Sequence, residues 1–401
     1  MKIYSQYLLP AVRFKLTVHD ITESNLIKLD NLADKFLKKW LHIPPSGTRA
    51  IIHAMEGLNI KSLMQLYKES HAVAHASARF KADDTVNAAL DSKLSHESQW
   101  SRKASVTVYS EHQYLNVTEN VNETSTIDNI KNKIKSAVRN EFHDMWHDSI
   151  KELVVQGRFL DLVAAEKSHI SWRSYIYDLP RGVLQFAVNA SIDTLCTNAN
   201  LKRWSKRGNA KCDLCSEARE TLHHVLNNCP TMLERYKWRH DSILNFLADQ
   251  FNTNDKFAAY IDLPGKLNGI STIPTSILVT TLRPDAVFIN NIDNVCIIFE
   301  LSIPFECNIL NTHRRKSGKY ENLVTDIEQK GYKVFYYPVE IGSRGYINND
   351  NLVRLKSLFK KLNCNFKTVK QTLSTISLIG SFVIFHSKFE RLWLNPNYIS
   401  I

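Results

Sequence analysis

Two carboxylates flank the turn of a predicted β-hairpin. Asp285 opens the first apolar arm, "DAVFIN", and Glu300 stands near the end of the second arm, "NVCIIFEL". If Asn290 pairs with Val295 across the polar turn, Asp285 lies directly opposite Glu300, with Cβ atoms about 4.5–5.5 Å apart on one face. Two like charges at that distance repel each other unless a cation lies between them, and Mg²⁺ prefers such oxygen ligands. The pattern therefore predicts a magnesium site that could activate a phosphate and a water molecule for hydrolysis.

An amine is available from the segment that follows the hairpin. "NTHRRKSGKYENLVTDIEQ" predicts a helix and "YKVFYYPVEI" predicts a strand, so the whole stretch favours a mixed sheet with a crossover helix. One face of this helix carries Lys316, Lys319, Tyr320, Leu323 and Ile327. Lys316 or Lys319 could reach the carboxylates and orient the attacking water or stabilise charge on the phosphate. The alternative is that Asp285 and Glu300 are surface residues at the ends of two strands.

A second motif, "CDLCSEARETLHHVLNNC", has the spacing of a zinc site. Cys212 and Cys215 form a C-x2-C pair, and His224 and Cys229 follow with four residues between them. Three thiolates and one imidazole would fill a tetrahedral site and leave no open position, so we expect a structural zinc ion. His223 is the alternative histidine ligand, and a chance grouping of free cysteines is the alternative to a metal site.

A basic and aromatic stretch, "NLKRWSKRGNAK", leads into the cysteine motif. Its charged and aromatic residues are Lys202, Arg203, Trp204, Lys206, Arg207 and Lys211. Such a stretch suits a nucleic-acid backbone, because cationic side chains bind phosphates and an indole ring stacks on an unstacked base. The alternative is a solvated, charged loop.

An adjacent acidic pair, Asp83 and Asp84, is also a metal-site candidate by residue type. Polymerases place such a pair on a tight hairpin between apolar strands. Here the flanking sequences "ASAR" and "TVNAAL" favour a helix. We therefore expect Asp83 and Asp84 to lie on an exposed helical face or to cap a helix.

Composition and charge favour a polyanionic partner. The 401 residues include 51 Lys and Arg against 40 Asp and Glu, which gives a net charge of +11. "MKIYSQYLLPAVRF" lacks the apolar core of a signal peptide, and "ISLIGSFVIF" is too short to span a bilayer, so we expect no membrane partner and a buried C-terminal element. Seven cysteines, three of them clustered, do not resemble a disulfide framework, which favours a reducing compartment.

Helical periodicity dominates the N-terminal half, so the predicted class is α+β, or mixed. "NLIKLDNLADKFLKKWL" predicts an amphipathic helix that ends before Pro44. Its apolar stripe comprises Leu26, Leu29, Leu32, Ala33, Phe36, Leu37, Trp40 and Leu41. We predict five parts: a helical region (1–104), an Asn-, Thr- and Ser-rich linker or exposed loop (105–129), a helical linker region (130–199), the basic strip with the zinc module (200–250) and a sheet domain (251–401).

The sheet domain resembles the PD-(D/E)xK restriction-like nuclease core. "RPD" ends in Asp285, and fourteen residues separate this aspartate from Glu300, with lysines nearby. The family's usual lysine would stand two residues after the glutamate, where this chain has Ser302. A lysine that has moved to the following helix, Lys316 or Lys319, would take its place.

Together with the cysteine–histidine motif, this core resembles the C-terminal part of the site-specific non-LTR retrotransposon polyproteins that carry a restriction-like endonuclease. The stretches "IDTLCTNANLKRW", "FELSIPFE", "KYENL" and "VEIGSRG" are similar to that family's linker, nuclease core and following loop. "YLLPAVRF" and "LDNLADKFLKKWLHIP" are similar to the thumb that follows its polymerase palm. The resemblance makes residues 1–104 thumb-like and residues 251–401 a restriction-like endonuclease domain.

The resemblance implies a role for each candidate residue. Asp285 and Glu300 would hold catalytic Mg²⁺, Lys316 or Lys319 would be the catalytic lysine with Tyr320 beside it, and Arg283 would lie near the phosphate. The zinc knuckle would use Cys212, Cys215, His224 and Cys229. The implied activity is a magnesium-dependent endonuclease that nicks a DNA target in the nucleus, so that the exposed end primes reverse transcription of the element RNA.

Two other functions remain open on the sequence. The polymerase fingers and palm are absent from this chain, so no polymerase activity is expected, and the nuclease fold could be an inactive, nucleic-acid-binding remnant of the element. A junction or repair nuclease on the same core is a third possibility, but such an enzyme would not need thumb-like helices or a zinc module.

Overall fold

The computed structural model describes residues 1–19, 21–80, 83–89, 126–166, 170–251, 256–266, 271–390 and 392–400. The chain divides into two compact units, Met1–Ala164 and Ala165–Ile401. The candidate zinc ligands belong to the second unit, as do the hairpin carboxylates Asp285 and Glu300, which are called the acidic pair below. The finer division into five parts stays a prediction.

The described residues of the first unit form helices and connecting turns. A π-helical turn, Tyr4–Leu8, leads into α1 (Leu9–Val18), which is followed by α2 (Glu23–Leu41), α3 (Ala50–His53), α4 (Leu63–Arg79), α5 (Ile127–Glu152) and α6 (Arg158–Ala165). Ala72, Ala76 and apolar residues of α5 such as Ile134 and Val138 form a buried core where α4 packs on α5.

Two sequence predictions fall near the part of the first unit that the structure does not describe. Residues 105–125 of the predicted linker lie outside the described residues. The last residues of that segment are helical, since α5 begins at Ile127 and Thr126 caps it by accepting a hydrogen bond from the Asn129 amide. Asp83 caps a short helical stretch through the Val86 amide, at 2.9 Å, which agrees with the predicted cap and not with a metal site.

The described residues of the second unit form helices and one sheet. Its helices are α7 (Arg181–Ser191), α8 (Asn198–Arg203), α9 (Leu233–Gln250), α10 (Ile309–Gln329), α11 (Asn349–Lys361) and α12 (Val369–Ser387), with shorter helical turns at Ser171–Tyr175, His224–Asn228, Pro230–Met232 and Glu306–Asn308. Its strands are β1 (Ala258–Ile261), β2 (Ala286–Asn290), β3 (Val295–Ser302) and β4 (Lys333–Glu340). The mixture of helices and sheet confirms the predicted coarse class.

The four strands form a mixed sheet in the order β1-β2-β3-β4. β2 pairs antiparallel with β1 and β3, whereas β4 is parallel to β3 and is reached through the crossover helix α10. Asn290 pairs with Val295 and Ala286 pairs with Phe299, as the hairpin turn predicted. This register places Asp285, one residue before β2, opposite Glu300.

Helices cover both faces of the sheet. On one face, Phe288 and Phe299 pack with apolar residues of α9, α11 and α12. On the other face, Val287 and Ile298 pack against Tyr320, Leu323 and Ile327 of α10. Because side chains alternate along a strand, Asp285 and Glu300 point to the same side as Val287 and Ile298, towards α10. The helix that carries the candidate lysines therefore lies on the same face as the two carboxylates.

The apolar run near the C-terminus lies within α12. Most of its side chains, including Ile376, Leu378 and Ile384, are buried in the second unit, as predicted. Among the described helices, none has the length and apolar character needed to cross a bilayer.

Candidate functional site

Four side chains of the cysteine motif converge on one point. Cys212, Cys215, His224 and Cys229 each offer a ligand atom, and these atoms lie within 4.8 Å of one another. The Sγ atoms of Cys212 and Cys229 are 4.0 Å apart, and the Cys215 Sγ is 3.5 Å from His224 Nε2. Ligands of one tetrahedral zinc ion, with bonds of about 2.0–2.3 Å, are separated by about 3.5–3.8 Å. The cluster could therefore hold a metal ion such as zinc.

Local backbone structure brings the four ligands together. The Cys212 amide donates to the Ala218 carbonyl at 2.8 Å, and the Ser216 amide donates back to the Cys212 carbonyl at 2.9 Å, which closes a tight turn around the C-x2-C pair. His224 and Cys229 lie at the two ends of the π-helical turn His224–Asn228. The Tyr236 hydroxyl accepts a hydrogen bond from the Cys229 amide at 3.0 Å and so fixes that turn to α9.

His223, the alternative ligand, points to different partners. Its ring stacks on Phe305 with centroids 4.8 Å apart, and its Nε2 lies 3.2 Å from the side-chain Nδ2 of Asn228 and 3.1 Å from that of Asn308. His224 is the histidine of the metal-binding cluster. Burial lowers the pKa of His224, which favours the neutral imidazole that a metal requires.

A bound cation would change the protonation of the cysteines. Burial raises the pKa of Cys212 to about 11, so without a metal this thiol keeps its proton at neutral pH. Zinc binds the thiolate and stabilises that charge, so zinc binding would release a proton. A ligand set of three sulfurs and one nitrogen with no open position is typical of a structural metal ion.

The basic strip lies beside this cluster at the end of α8. Lys202 and Lys206 are exposed, and the Lys206 ammonium lies over the Trp204 ring, 5.9 Å from its centroid. Arg203 lies 3.8 Å from Asp193. These four residues therefore present a cationic and aromatic surface, as the sequence predicted.

Arg207 differs from the rest of the strip. Its guanidinium makes a two-armed ion pair with Asp213, 2.5 Å at the shorter contact, and also donates to Asn198 at 3.0 Å. Asp213 stands between the two first cysteines of the motif. Arg207 therefore braces the metal-binding turn, and the strip offers fewer free cations to nucleic acid than its sequence suggests.

Each carboxylate of the hairpin accepts a backbone hydrogen bond from the opposite arm. One oxygen of Glu300 accepts a hydrogen bond from the Asp285 amide at 3.3 Å, and one oxygen of Asp285 accepts from the Leu301 amide at 2.6 Å. Each carboxylate therefore keeps its second oxygen for a cation. Glu300 is almost completely buried, and burial together with the nearby Asp285 charge raises the pKa of Glu300.

The second oxygens face protein cations. Lys316 of α10 pairs with the Glu300 Oε1 atom, and this contact lowers the pKa of Glu300 against the effect of burial. Lys319 points elsewhere, donating to the Tyr320 hydroxyl at 3.0 Å with its ammonium 4.6 Å from the centre of that ring. Of the two candidate lysines, Lys316 is the one in contact with the acidic pair.

Tyr320 and Arg283 complete the edge of the site. The buried Tyr320 hydroxyl donates to the Arg283 carbonyl at 3.2 Å, which holds the chain just before Asp285 against α10. Burial, with the nearby Glu300 carboxylate, raises the pKa of Tyr320, so this phenol stays protonated. The Arg283 side chain is half-exposed and pairs with Asp262.

His240 of α9 is a member of the site that the sequence analysis missed. Its Nε2 lies 3.3 Å from the second oxygen of Asp285, and its Nδ1 lies 3.0 Å from Asp241. Burial disfavours the charged ring, yet the carboxylates of Asp285 and Asp241 outweigh burial and raise the pKa of His240 to about 10. The ring is therefore a cation at neutral pH when no metal is bound.

The raised pKa of His240 predicts a pH dependence of folding. An ordinary histidine titrates near pH 6.5, so the His240 contribution to stability is full below that pH and is lost as pH rises to about 10. In magnesium-free buffer, we expect urea unfolding between pH 6.5 and pH 10 to show a slope of up to about 1.4 kcal/mol per pH unit from this group. His240→Gln should flatten that slope, and equal slopes in both proteins would contradict the assignment.

Two cavities meet at His240. The first, of about 560 Å³, extends from His223 and Asn228 beside the cysteine cluster to Arg315 and Lys316 beside Glu300. The second, of about 550 Å³, contains Asp285, Arg283 and Lys237. Asp285 thus lines the second cavity, whose wall also carries Asp241 and Asp262, and Lys316, the partner of Glu300, lines the first.

The structure thus brings together Asp285, Glu300, Lys316 and Tyr320, with Arg283 at the edge, and separately assembles the four cysteine-motif ligands. Lys319 is turned towards Tyr320.

Comparison of the chain with models of known protein families gives no match, and comparison with curated proteins gives none.

Proposed function

We propose that this chain is a magnesium-dependent DNA endonuclease with a zinc-stabilised nucleic-acid-binding module, derived from a site-specific non-LTR retrotransposon. Its task would be to nick a DNA target so that the exposed end primes reverse transcription of the element RNA. The observation that carries the proposal is the convergence of Asp285 and Glu300 on one face of the sheet with Lys316 of α10 in contact.

The residues present fit a magnesium ion. Asp285 and Glu300 each have one oxygen anchored to the backbone and one turned towards a cation, so the pair can accept Mg²⁺ once Lys316 and His240 yield those oxygens. Magnesium supplies Lewis-acid activation of the phosphate and of the attacking water. Lys316, released from Glu300, would remain beside the ion and stabilise negative charge on the scissile phosphate.

The cavities provide a path for the DNA strand. A strand with its scissile phosphate at the acidic pair could extend along the first cavity towards the zinc module, where Arg315 and Asn228 line the wall. In the other direction, Lys237 and Arg283 line the second cavity. Exposed Lys202 and Lys206 would add contacts to the phosphate backbone beyond the zinc module.

One observation favours the second function, a binding protein without cleavage. Both outward carboxylate oxygens already meet protein cations, Lys316 at Glu300 and His240 at Asp285. A magnesium ion must displace these contacts before hydrolysis can begin. If displacing these contacts costs more free energy than magnesium binding provides, the chain would bind DNA without cleaving it.

Nicking of a supercoiled plasmid by the zinc-loaded chain separates the two functions. We expect conversion to nicked circles with Mg²⁺ and none when Mg²⁺ is omitted. Salt-dependent plasmid binding without nicking at any Mg²⁺ concentration would reject the endonuclease and favour the binding remnant.

The two lysines of α10 should differ in their effect on nicking. Lys316→Ala removes the ammonium that contacts Glu300, so we expect the rate to fall about a hundredfold. Lys319→Ala is the matched control, because this lysine contacts Tyr320, and the rate should change less than about fivefold. Single-turnover nicking with saturating protein measures both. A larger loss in Lys319→Ala than in Lys316→Ala would reverse the assignment.

A further inference from the structure

A second cluster of metal-binding side-chain types lies in the first unit. His143 and His147 are four residues apart on α5, so both imidazoles project from one face, and their ring centres are 5.9 Å apart. The Oε1 atom of Glu56 lies 3.5 Å from His143 Nδ1 and 4.0 Å from His147 Nδ1. One carboxylate oxygen thus faces two ring nitrogens.

A constrained turn after α3 holds Glu56 in this place. The Leu58 amide donates to the Ile51 carbonyl at 2.8 Å and folds the turn back onto the helix. A Cβ atom at Gly57 would lie 2.3 Å from that same carbonyl oxygen, so only glycine fits beside Glu56. Glu56 itself is 1% exposed. The carboxylate is therefore fixed in the interior of the unit, facing α5.

Glu56 has longer contacts than Asp34, another buried acid of the unit. Asp34 receives a hydrogen bond from His53 at 2.8 Å and an ion pair from Arg49. Within the described residues, the Oε2 atom of Glu56 has no hydrogen-bond partner, and neither has the Nδ1 atom of His143 or of His147. A buried carboxylate that meets only two imidazoles, at 3.5 and 4.0 Å, is incompletely compensated, so the arrangement favours a further cation.

We propose that Glu56, His143 and His147 bind a second divalent transition-metal ion, of the zinc class, in the first unit. Two ligands of one tetrahedral ion, with bonds of about 2.0–2.1 Å, lie about 3.4 Å apart, close to the 3.5 and 4.0 Å found from the Glu56 oxygen. The two ring centres are 5.9 Å apart, so both imidazoles must rotate towards Glu56 before three ligand atoms surround one ion. Both histidine side chains are 29% exposed, so each ring reaches solvent, whereas the Nδ1 atoms that face Glu56 are buried. The donor set of two nitrogens and one oxygen contains no sulfur, unlike the cysteine cluster.

Metal counting on the full-length chain tests the proposal. After loading with Zn²⁺ and gel filtration, mass spectrometry should find two zinc ions per chain, and also two in an Asp285→Ala chain, which excludes the acidic pair as the second site. Cys212→Ser should keep the second ion and lose the first. His143→Ala/His147→Ala should keep the first ion and lose the second. Co²⁺ substitution distinguishes the sites, because only the cysteine cluster gives a thiolate-to-cobalt charge-transfer band.

Matched variants guard against misfolding and surface binding. Glu56→Gln keeps the size of the side chain and removes its charge, and it should weaken binding of the second ion at least tenfold, with an unchanged circular dichroism spectrum. Asp144→Asn/Asp148→Asn changes exposed acids on the same helix and should leave both ions bound. One zinc ion in the parent chain would overturn the proposal, as would two zinc ions bound equally well in Glu56→Gln and in the double histidine variant.

Discussion

Replacing Asp285 with alanine is expected to lower the rate of magnesium-dependent DNA nicking about a thousandfold. Asp285 supplies one of the two carboxylates that we assign to the ion, and its other oxygen accepts the Leu301 amide that aligns the hairpin. Loss of one charged ligand removes several kcal/mol of transition-state stabilisation, and each 1.4 kcal/mol is about a factor of ten in rate. Single-turnover nicking at saturating protein measures the chemical step. DNA affinity in Mg²⁺-free buffer should not fall, because the variant removes a negative charge.

Asp262→Ala is the matched control for this prediction. Asp262 is a nearby acid whose side chain pairs with Arg283, and its amide donates to the Asp285 carbonyl at 2.9 Å. We expect its removal to change nicking less than about tenfold, because its carboxylate does not contact Asp285 or Glu300. Nicking by Asp285→Ala at the rate of the parent chain would remove the basis for a metal site at the hairpin.

Loss of the zinc ion is expected to have the largest effect on stability. Cys212→Ser removes a buried ligand, so the variant should purify without zinc at the cysteine cluster and the second unit should melt at least about 10 °C lower. The melting temperature should fall because an ion pair and a hydrogen bond join the cysteine motif to the rest of the second unit. Buried Glu220 pairs with Lys388 of the C-terminal region at 2.8 Å, and the side-chain amide of Asn227 donates to the Ile303 carbonyl, next to β3, at 2.7 Å.

Cys196→Ser provides the control, since Cys196 is an exposed free cysteine outside the cluster. It should keep its zinc and its melting temperature. Below the lowered transition, the Cys212→Ser chain should still show the far-ultraviolet circular dichroism of the sheet and helices. A melting temperature and zinc content equal to those of the parent chain would contradict a structural zinc site.

The hairpin shows how much of the candidate site follows from the sequence. Its turn residues and two uninterrupted apolar arms determine the pairing of Asn290 with Val295, and that pairing alone puts Asp285 opposite Glu300. The three- and four-residue spacing along one face of helix α10 likewise points to Lys316 or Lys319 as the amine. The choice between them needs the distance to Glu300, which depends on how α10 packs on the sheet.

His240 could not be predicted in the same way. It lies 45 residues before Asp285 in the sequence, on a different helix, and only tertiary packing brings its ring to 3.3 Å from the Asp285 carboxylate. The one local signal is a polar run, Arg239–Asp241, at positions of α9 that the structure buries or half-buries. A charged run in a helix is usually a solvated face, so the pattern gave no reason to place it beside an acid.

In helix α2, the apolar face predicted from the sequence is partly wrong. Of its predicted apolar stripe, Leu26, Leu37 and Leu41 are buried, but the structure leaves the rest of the large stripe residues half-exposed: Leu29, Leu32, Phe36 and Trp40. The helix buries Asp30 and Asp34 instead. Asp30 accepts the Leu63 amide at 2.6 Å, a partner 33 residues away. Hydrophobic periodicity cannot indicate which acids find such distant donors, and these contacts rotate the helix relative to its predicted face.

The most direct test of the central claim is anomalous diffraction from crystals of the zinc-loaded chain soaked in Mn²⁺. This ion replaces Mg²⁺ and gives an anomalous signal that Mg²⁺ lacks. We predict a manganese peak within bonding distance of one oxygen of Asp285 and one oxygen of Glu300, with Lys316 displaced from Glu300 but still adjacent. An intact Lys316–Glu300 ion pair, with no manganese between the two carboxylates at concentrations that support nicking, would contradict the account.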